Sequence, residues 1–210
     1  MRKLEAIAAG LVVSLAAAGT AAAGVLEHQT LKGKAADVEF LISTPETCAD
    51  GTQGSADVFL DVFGEESFLS SRSAGKTLIN ALSIIYVVSD SCTGAVSIAT
   101  GQVGGGFNSL TPRRATMNAT VPLTDISTGA SAGSLVAALT LQGGSIVGFT
   151  NEHDRTVFPD QSFFRTDQVK STTRPATVSG SLTVNGVQFI GHLSSAQLFD
   201  NRDSVTDIAR

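Results

Sequence analysis

Residues 76–100 constrain the fold of this chain more than any other stretch. From Leu78 to Ser89, apolar side chains occupy both parities of an extended segment. Since successive side chains of a strand point to opposite faces, this pattern predicts a central strand that is covered on both sides. A cluster of turn-forming residues around Cys92 follows, and then a second short apolar run. The stretch therefore predicts a β-hairpin with a cysteine at its tip.

Alternating runs recur along the rest of the chain, beginning with residues 36–42 and 55–63. The strongest turn signal is Asn185-Gly186, because both residues tolerate a positive φ angle. Residues 65–75, 101–112 and 145–173 have the composition of loops. About eight strands, closely spaced turns and no amphipathic helix predict an all-β fold, an antiparallel β-sandwich of Ig-like or jelly-roll-like type.

The first 23 residues have the pattern of a signal peptide of bacterial type. Arg2 and Lys3 precede an apolar run over residues 6–18, and small residues follow at Ala21 and Ala23. This order predicts cleavage after residue 23, which leaves a single domain over residues 24–210. No later stretch is long enough for a membrane-spanning helix. We therefore expect a protein that is secreted, periplasmic or held at the cell surface.

The charge balance excludes some classes of partner. Removing the two positive residues and Glu5 of the predicted signal peptide changes the formal net charge from −5 to −6. An acidic chain without a basic tract is not expected to bind nucleic acid. We expect an unknown extracellular ligand or surface component as partner, and self-association remains an alternative.

Cys48 and Cys92 give an even cysteine count in a chain expected to reach an oxidising compartment. Cys48 lies in a stretch rich in turn-forming residues, and Cys92 lies at the tip of the predicted hairpin. A disulfide bond between them would stabilise the domain by roughly 4 kcal/mol in the chain-entropy model. Free thiols are the alternative, but no histidine lies near either cysteine to complete a metal site.

The segment over residues 145–173 combines aromatic and charged side chains, as binding loops often do. Its candidate binding residues are His153, Arg155, Phe158, Phe163 and Arg165. The aromatic rings would supply contact area, while histidine and arginine would orient a ligand. The simpler interpretation is that the rings anchor a loop to the core and the charges form a solvated rim.

These observations favour an exported, non-catalytic binding module for a sugar, a peptide or a surface component. A self-assembling surface or matrix protein is the first alternative, with residues 24–34 as an arm that completes a neighbour's sheet. A secreted hydrolase is the second alternative. Because the chain has three histidines and is not expected to form the α/β fold that a Gly-x-Ser-x-Gly nucleophile elbow requires, the sequence indicates no catalytic residues. No metal or cofactor is expected.

Overall fold

A computed structural model describes residues 27–71, 73, 75–157 and 163–209. The predicted signal peptide lies outside these residues. Within them the chain forms eleven strands, where about eight were expected. The strands are β1 (Glu27–Thr47), β2 (Gln53–Ser71), β3 (Gly75–Asp90), β4 (Ala95–Gly104), β5 (Phe107–Thr111), β6 (Arg114–Asp125), β7 (Ser131–Gly143), β8 (Gly148–Val157), β9 (Phe163–Val184), β10 (Val187–Gln188) and β11 (Leu193–Ala209).

All eleven strands belong to one antiparallel sheet that closes on itself. Hydrogen-bonded neighbours lead from β9 through β11, β1, β2, β3, β4 and β6 to β7, and β7 pairs again with β9. Strand β5 attaches to β6, and strands β8 and β10 attach to β9. The prediction of an all-β antiparallel fold is confirmed. The sandwich type is not confirmed, because one continuous sheet takes the place of two.

A single apolar core fills the inside of this circuit. On β1 it contains Ala36, Val38 and Phe40, all fully buried, because alternate residues of a strand face the same side. Phe189, between β10 and β11, presents its ring edge-on to Phe40 and Tyr86 at centroid distances of 6.1 and 6.4 Å. The turn that carries Phe189 therefore belongs to the core. Replacing such a buried ring by alanine lowers the free energy of unfolding by about 3–5 kcal/mol.

Strand β5 covers one end of the core. The ring of Phe107 packs against Gly64 of β2, where an added Cβ atom would lie 2.0 Å from the ring. Glycine at this position therefore permits β5 to approach β2. Lys34 Nζ donates a hydrogen bond to the backbone oxygen of Leu110 at 3.3 Å, which joins β5 to β1 at the border of the core.

Six strands extend beyond the core as an open sheet. Their order is β8, β9, β11, β1, β2 and β3, so β8 and the start of β3 are its edges. We call this part the open half. It consists of residues 27–35, 64–71, 75–80, 148–157, 163–175 and 199–209. The side of the sheet that bears the core residues is its inner face, and the opposite side is its outer face.

Both hairpin predictions are confirmed. Residues 91–94 turn between β3 and β4, and Gly94 has a φ angle of 70°. Asn185 and Gly186 turn between β9 and β10 with φ angles of 50° and 84°, which are the values that favour an Asn-Gly pair.

Several other expectations are wrong. The three stretches predicted as loops contain the end of β2 and the start of β3, the end of β4 and all of β5, and β8 with the start of β9. In these three stretches the backbone hydrogen-bonds to neighbouring strands. This pairing favours the strand conformation more than the turn-forming residues oppose it. Ile79 and Ile85 are 39% and 44% exposed, so β3 is not covered on both faces. Residues 27–34, part of the arm (residues 24–34) in the self-assembly alternative, pair with β2 and β11 of the same chain.

Candidate functional site

The inner face of the open half gathers positive charge in an acidic chain. Register and alternation place seven basic side chains on it: Lys32, Lys34, Lys76, Arg155, Lys170, Arg174 and Arg202. Among the described residues of the open half, only Asp200 and Glu66 bring a carboxylate to this face. The inner face is therefore electropositive although the whole chain carries a net charge of −5.

Three of these cations stand side by side across three strands. Lys170 of β9 lies directly opposite Arg202 of β11, and Arg202 lies directly opposite Lys32 of β1. All three side chains are exposed. Since neighbouring strands lie about 4.8 Å apart, the row is about 10 Å long. We call it the cation row. Like charges directly opposite each other destabilise a sheet, so folding alone does not favour this arrangement.

A row of uncharged polar residues runs beside the cation row. Gln168, Ser204 and Thr30 are direct neighbours on the same three strands. The two rows border a cavity of about 220 Å³. Asp203 also borders this cavity, although alternation places its side chain on the outer face. Cations on one side and hydroxyl and amide donors on the other are suited to binding an oxyanion.

No carboxylate of the described residues lies within ion-pair distance of the cation row. Among the described residues, the ion pair of the open half joins Arg165 to Asp207, and it lies on the outer face. The next row towards the core is arranged differently. Lys34 lies between Asp200 and Glu66, one on each neighbouring strand. In the row of Lys34, carboxylates therefore stand beside the positive charge. In the cation row, no carboxylate stands beside the three positive charges.

The outer face carries acidic groups. Glu39 lies opposite Asp61, and Asp37 lies diagonal to Asp61. Burial, and then the carboxylate of Asp37, raise the pKa of Asp61 to about 7. Burial also raises the pKa of Asp37. Behind the cation row, burial and then the charge of Asp167 raise the pKa of Asp203. The two faces of the sheet therefore differ in sign of charge.

Two of the residues predicted from the sequence lie on the electropositive face. His153 and Arg155 are inner-face residues of the edge strand β8. His153 lies directly opposite Gln168, which borders the cavity. Both belong to the surroundings of the cavity, one strand beyond the cation row.

Of the other three predicted residues, only the side chain of Arg165 is described, and it lies away from the cavity. Arg165 lies on the outer face, where its Nε and Nη2 atoms donate to the two carboxylate oxygens of Asp207 at 2.8 and 3.1 Å. The backbone of Phe163 lies in β9, and its side chain is not described. Phe158 lies outside the described residues.

Sequence reasoning missed the cation row itself. Lys32, Lys170 and Arg202 come from three strands that are distant along the chain, and none lies in a recognisable motif. The available signal was alternation, since Lys32 has the same parity as the core residues Ala36 and Val38. Only the strand register shows that the three cations are neighbours.

The predicted disulfide bond between Cys48 and Cys92 is present, with a Cα–Cα distance of 5.1 Å. It joins the β1–β2 turn to the β3–β4 turn, at the opposite end of β1 from Lys32. Glu46 and Asp90 approach Cys92 closely. Because the sulfur of Cys92 is bonded to Cys48, this group offers no thiolate ligand for a metal ion.

Comparisons with known proteins do not assign this chain to a family. No family model matches it, and no curated protein matches it. A solved chain from Nitrosomonas europaea named as AttH is 10% identical; the match has a TM-score of 0.22 and covers 87% of this chain and 50% of that one. An acetoacetate decarboxylase-like enzyme from Sphingomonas wittichii RW1 is 8% identical, with a TM-score of 0.19 and coverage of 88% and 93%.

This chain therefore spans half the length of the AttH chain that it matches. Neither similarity is strong enough to carry an argument about fold or activity. Within the described residues there is no helix with the length and hydropathy needed to cross a membrane.

Proposed function

We propose that this protein is an exported, non-catalytic binding module, which holds an anionic group of an extracellular or envelope ligand on the inner face of its open half. The cation row carries this proposal. Lys170, Arg202 and Lys32 are exposed, stand in direct register and border a cavity with neutral donors on its other side. The ligand is a sugar, a peptide or a surface component that bears a phosphate, sulfate or carboxylate group.

Each part of the row contributes in its own way. The planar guanidinium group of Arg202 can donate two parallel hydrogen bonds to one oxyanion. The ammonium groups of Lys170 and Lys32 add positive charge on either side of it. A bound anion removes the repulsion between these neighbours, so binding and stability of the sheet are coupled. The disulfide bond supports an exported location, because such bonds persist in oxidising compartments.

Calorimetric titration with ethyl phosphate at low ionic strength tests this function. The probe supplies a phosphate group with almost no apolar surface. The expected result is saturable binding of one ligand per chain, with an affinity that falls as salt is added. Because an exposed charge pair contributes up to about 1 kcal/mol, Lys170→Gln and Arg202→Gln should each weaken binding by up to about fivefold.

Lys76→Gln is the matched control, since it removes one positive charge from the same face on a strand outside the cavity. It should leave the affinity close to that of the wild-type protein. The proposal is wrong if wild-type protein does not bind ethyl phosphate, or if Lys76→Gln weakens binding as much as the two variants in the row.

Self-assembly is the second candidate function, and the opposite charges of the two faces favour it. The basic inner face of one molecule is complementary to the acidic outer face of another. Light scattering after size-exclusion chromatography at low and high salt tests this candidate. Assemblies that dissociate when salt is added, and that Lys170→Gln weakens, support it. A monomer at every concentration and salt level rules it out.

A further inference from the structure

The cation row continues into two exposed apolar side chains. Lys32 of β1 lies directly opposite Phe68 of β2, and Phe68 lies directly opposite Leu78 of β3. Phe68 is 48% exposed and Leu78 is 55% exposed. Both are on the inner face beyond the core, and about half of each residue is open to water. The line of neighbours that starts with three cations thus ends with two apolar residues.

This line has the dimensions of an extended small molecule. From β9 to β3 it crosses four strand spacings, so its length is about 19 Å. The half on β9, β11 and β1 is positively charged, and the half on β2 and β3 is apolar. A ligand that lies across the strands would meet charge with one end and apolar surface with the other.

Polar residues border the apolar pair on both sides. Ser70 and Lys76 form the neighbouring row towards the edge of the open half. Glu66 and Asn80 form the neighbouring row towards the core. The apolar surface is therefore one residue wide along each strand, which fits a single chain better than the broad apolar face of a membrane-docking surface. The carboxylate of Glu66 also opposes an anionic bilayer.

We infer that the ligand of this module is a single anionic amphiphile, whose charged group lies on Lys170, Arg202 and Lys32 and whose apolar chain lies along Phe68 and Leu78. This inference rests on the proposed function, because the same cation row holds the anionic group. The new element is the apolar chain of the ligand, which the proposed function does not include. The apolar chain removes exposed side-chain surface of Phe68 and Leu78 from water, which favours binding.

A series of alkyl phosphates, from ethyl through butyl to octyl phosphate, tests the inference on the wild-type protein. Titrations are made below the concentration at which octyl phosphate forms micelles. Since each buried methylene group favours transfer from water, the affinity should rise by at least about tenfold from ethyl to octyl phosphate. Phe68→Thr and Leu78→Thr should each reduce this rise while leaving the affinity for ethyl phosphate unchanged.

Leu31→Thr is the control for the apolar half, since Leu31 is an exposed leucine on the outer face next to Lys32. It should leave the whole series unchanged. If ethyl phosphate binds but chain length has no effect, the amphiphile inference is overturned and the proposed function stands. If no alkyl phosphate binds, both fail. Binding of octyl phosphate only as micelles, or of anionic lipid only in vesicles, also overturns the inference, because it indicates recognition of a lipid surface.

Discussion

Lys32 of β1 and Arg202 of β11 lie directly opposite each other on the inner face of the open half, and no carboxylate of the described residues is within ion-pair distance of either. A third cation, Lys170, is the next neighbour of Arg202. Like charges in direct register oppose sheet formation. In the free protein the cation row is therefore a source of instability, and an anion bound at the proposed site would reverse its effect.

The first prediction concerns the stability of the free protein. Lys32→Gln should raise the free energy of unfolding at low salt by about 0.2–1 kcal/mol, because it removes repulsion from Arg202. Lys34→Gln should have the opposite sign, since Lys34 lies between Asp200 and Glu66 and donates to the oxygen of Leu110. Urea denaturation measures both. If both variants lower the free energy of unfolding equally, the claim that the positive charges of the cation row repel each other is contradicted.

The second prediction concerns pH. Asp61 has a folded-state pKa of about 7, raised first by burial and then by Asp37. The unfolded chain loses this proton near pH 4, so the folded state holds the extra proton between about pH 4 and 7. The free energy of unfolding should therefore fall as pH rises through this window. We expect the free energy of unfolding to fall by about 1–2 kcal/mol. This value is reduced for solvent screening, because Asp61 and Asp37 are partly exposed.

Asp61→Asn should flatten this pH dependence and should stabilise the protein at pH 8. Asp154→Asn, on the outer face of β8, removes the same charge and should leave the slope unchanged. Urea titrations at several pH values provide the measurement. An unchanged slope in Asp61→Asn would exclude this carboxyl group as the origin of the pH effect.

The third prediction separates stability from binding. Replacing both Cys48 and Cys92 by serine opens a loop with a sequence separation of 44. The free energy of unfolding should fall by up to about 4 kcal/mol. Because the disulfide lies at the far end of β1 from Lys32, the folded variant should bind ethyl phosphate as the wild-type protein does. A folded variant with weakened binding would show that the two ends of the sheet are coupled.

The fourth prediction tests the register of β7 and β9. Gly180 has a φ angle of 118°, and an added Cβ atom would lie 2.0 Å from the backbone oxygen of Ala138. Gly180→Ala should therefore destabilise the protein by about 3 kcal/mol or more. Gly129→Ala is the control: its φ angle is 70° and its added Cβ atom meets nothing within 4 Å. It should cost about 1 kcal/mol. Equal losses of thermal stability would contradict this pairing.

Local features of the sequence predicted local features of the fold. The hairpin turn at Asn185 and Gly186 depends on two adjacent residues with suitable φ preferences. The pairing of Cys48 with Cys92 followed from an even count and an oxidising compartment. Strand parity placed Leu82 and Ile84 on one face of β3 and Ile85 on the other, but the prediction that both faces are covered is wrong, because Ile85 is 44% exposed.

Features that depend on distant strands were not predictable in the same way. Closure of the sheet requires β7 to pair with β9, and no local pattern specifies that contact. Residues 65–71, 148–157 and 163–173 of the open half have a composition that resembles loops. They form strands because neighbouring strands on one or both sides satisfy their backbone hydrogen bonds. The candidate site also depends on the pairing of strands that are distant along the chain. Lys32, Lys170 and Arg202 are unremarkable singly and become a site only through the register of β1, β9 and β11.

The most direct test of this account is an NMR titration of the isotope-labelled protein with ethyl phosphate at low salt. We predict saturable shifts of the backbone amides that concentrate in residues 30–34, 168–172 and 200–204, which form the cation row and the polar row beside it. The same titration of Arg202→Gln should show much smaller shifts at equal ligand concentration. Shifts that do not saturate, or that concentrate away from these three segments, would contradict the assignment of the binding site.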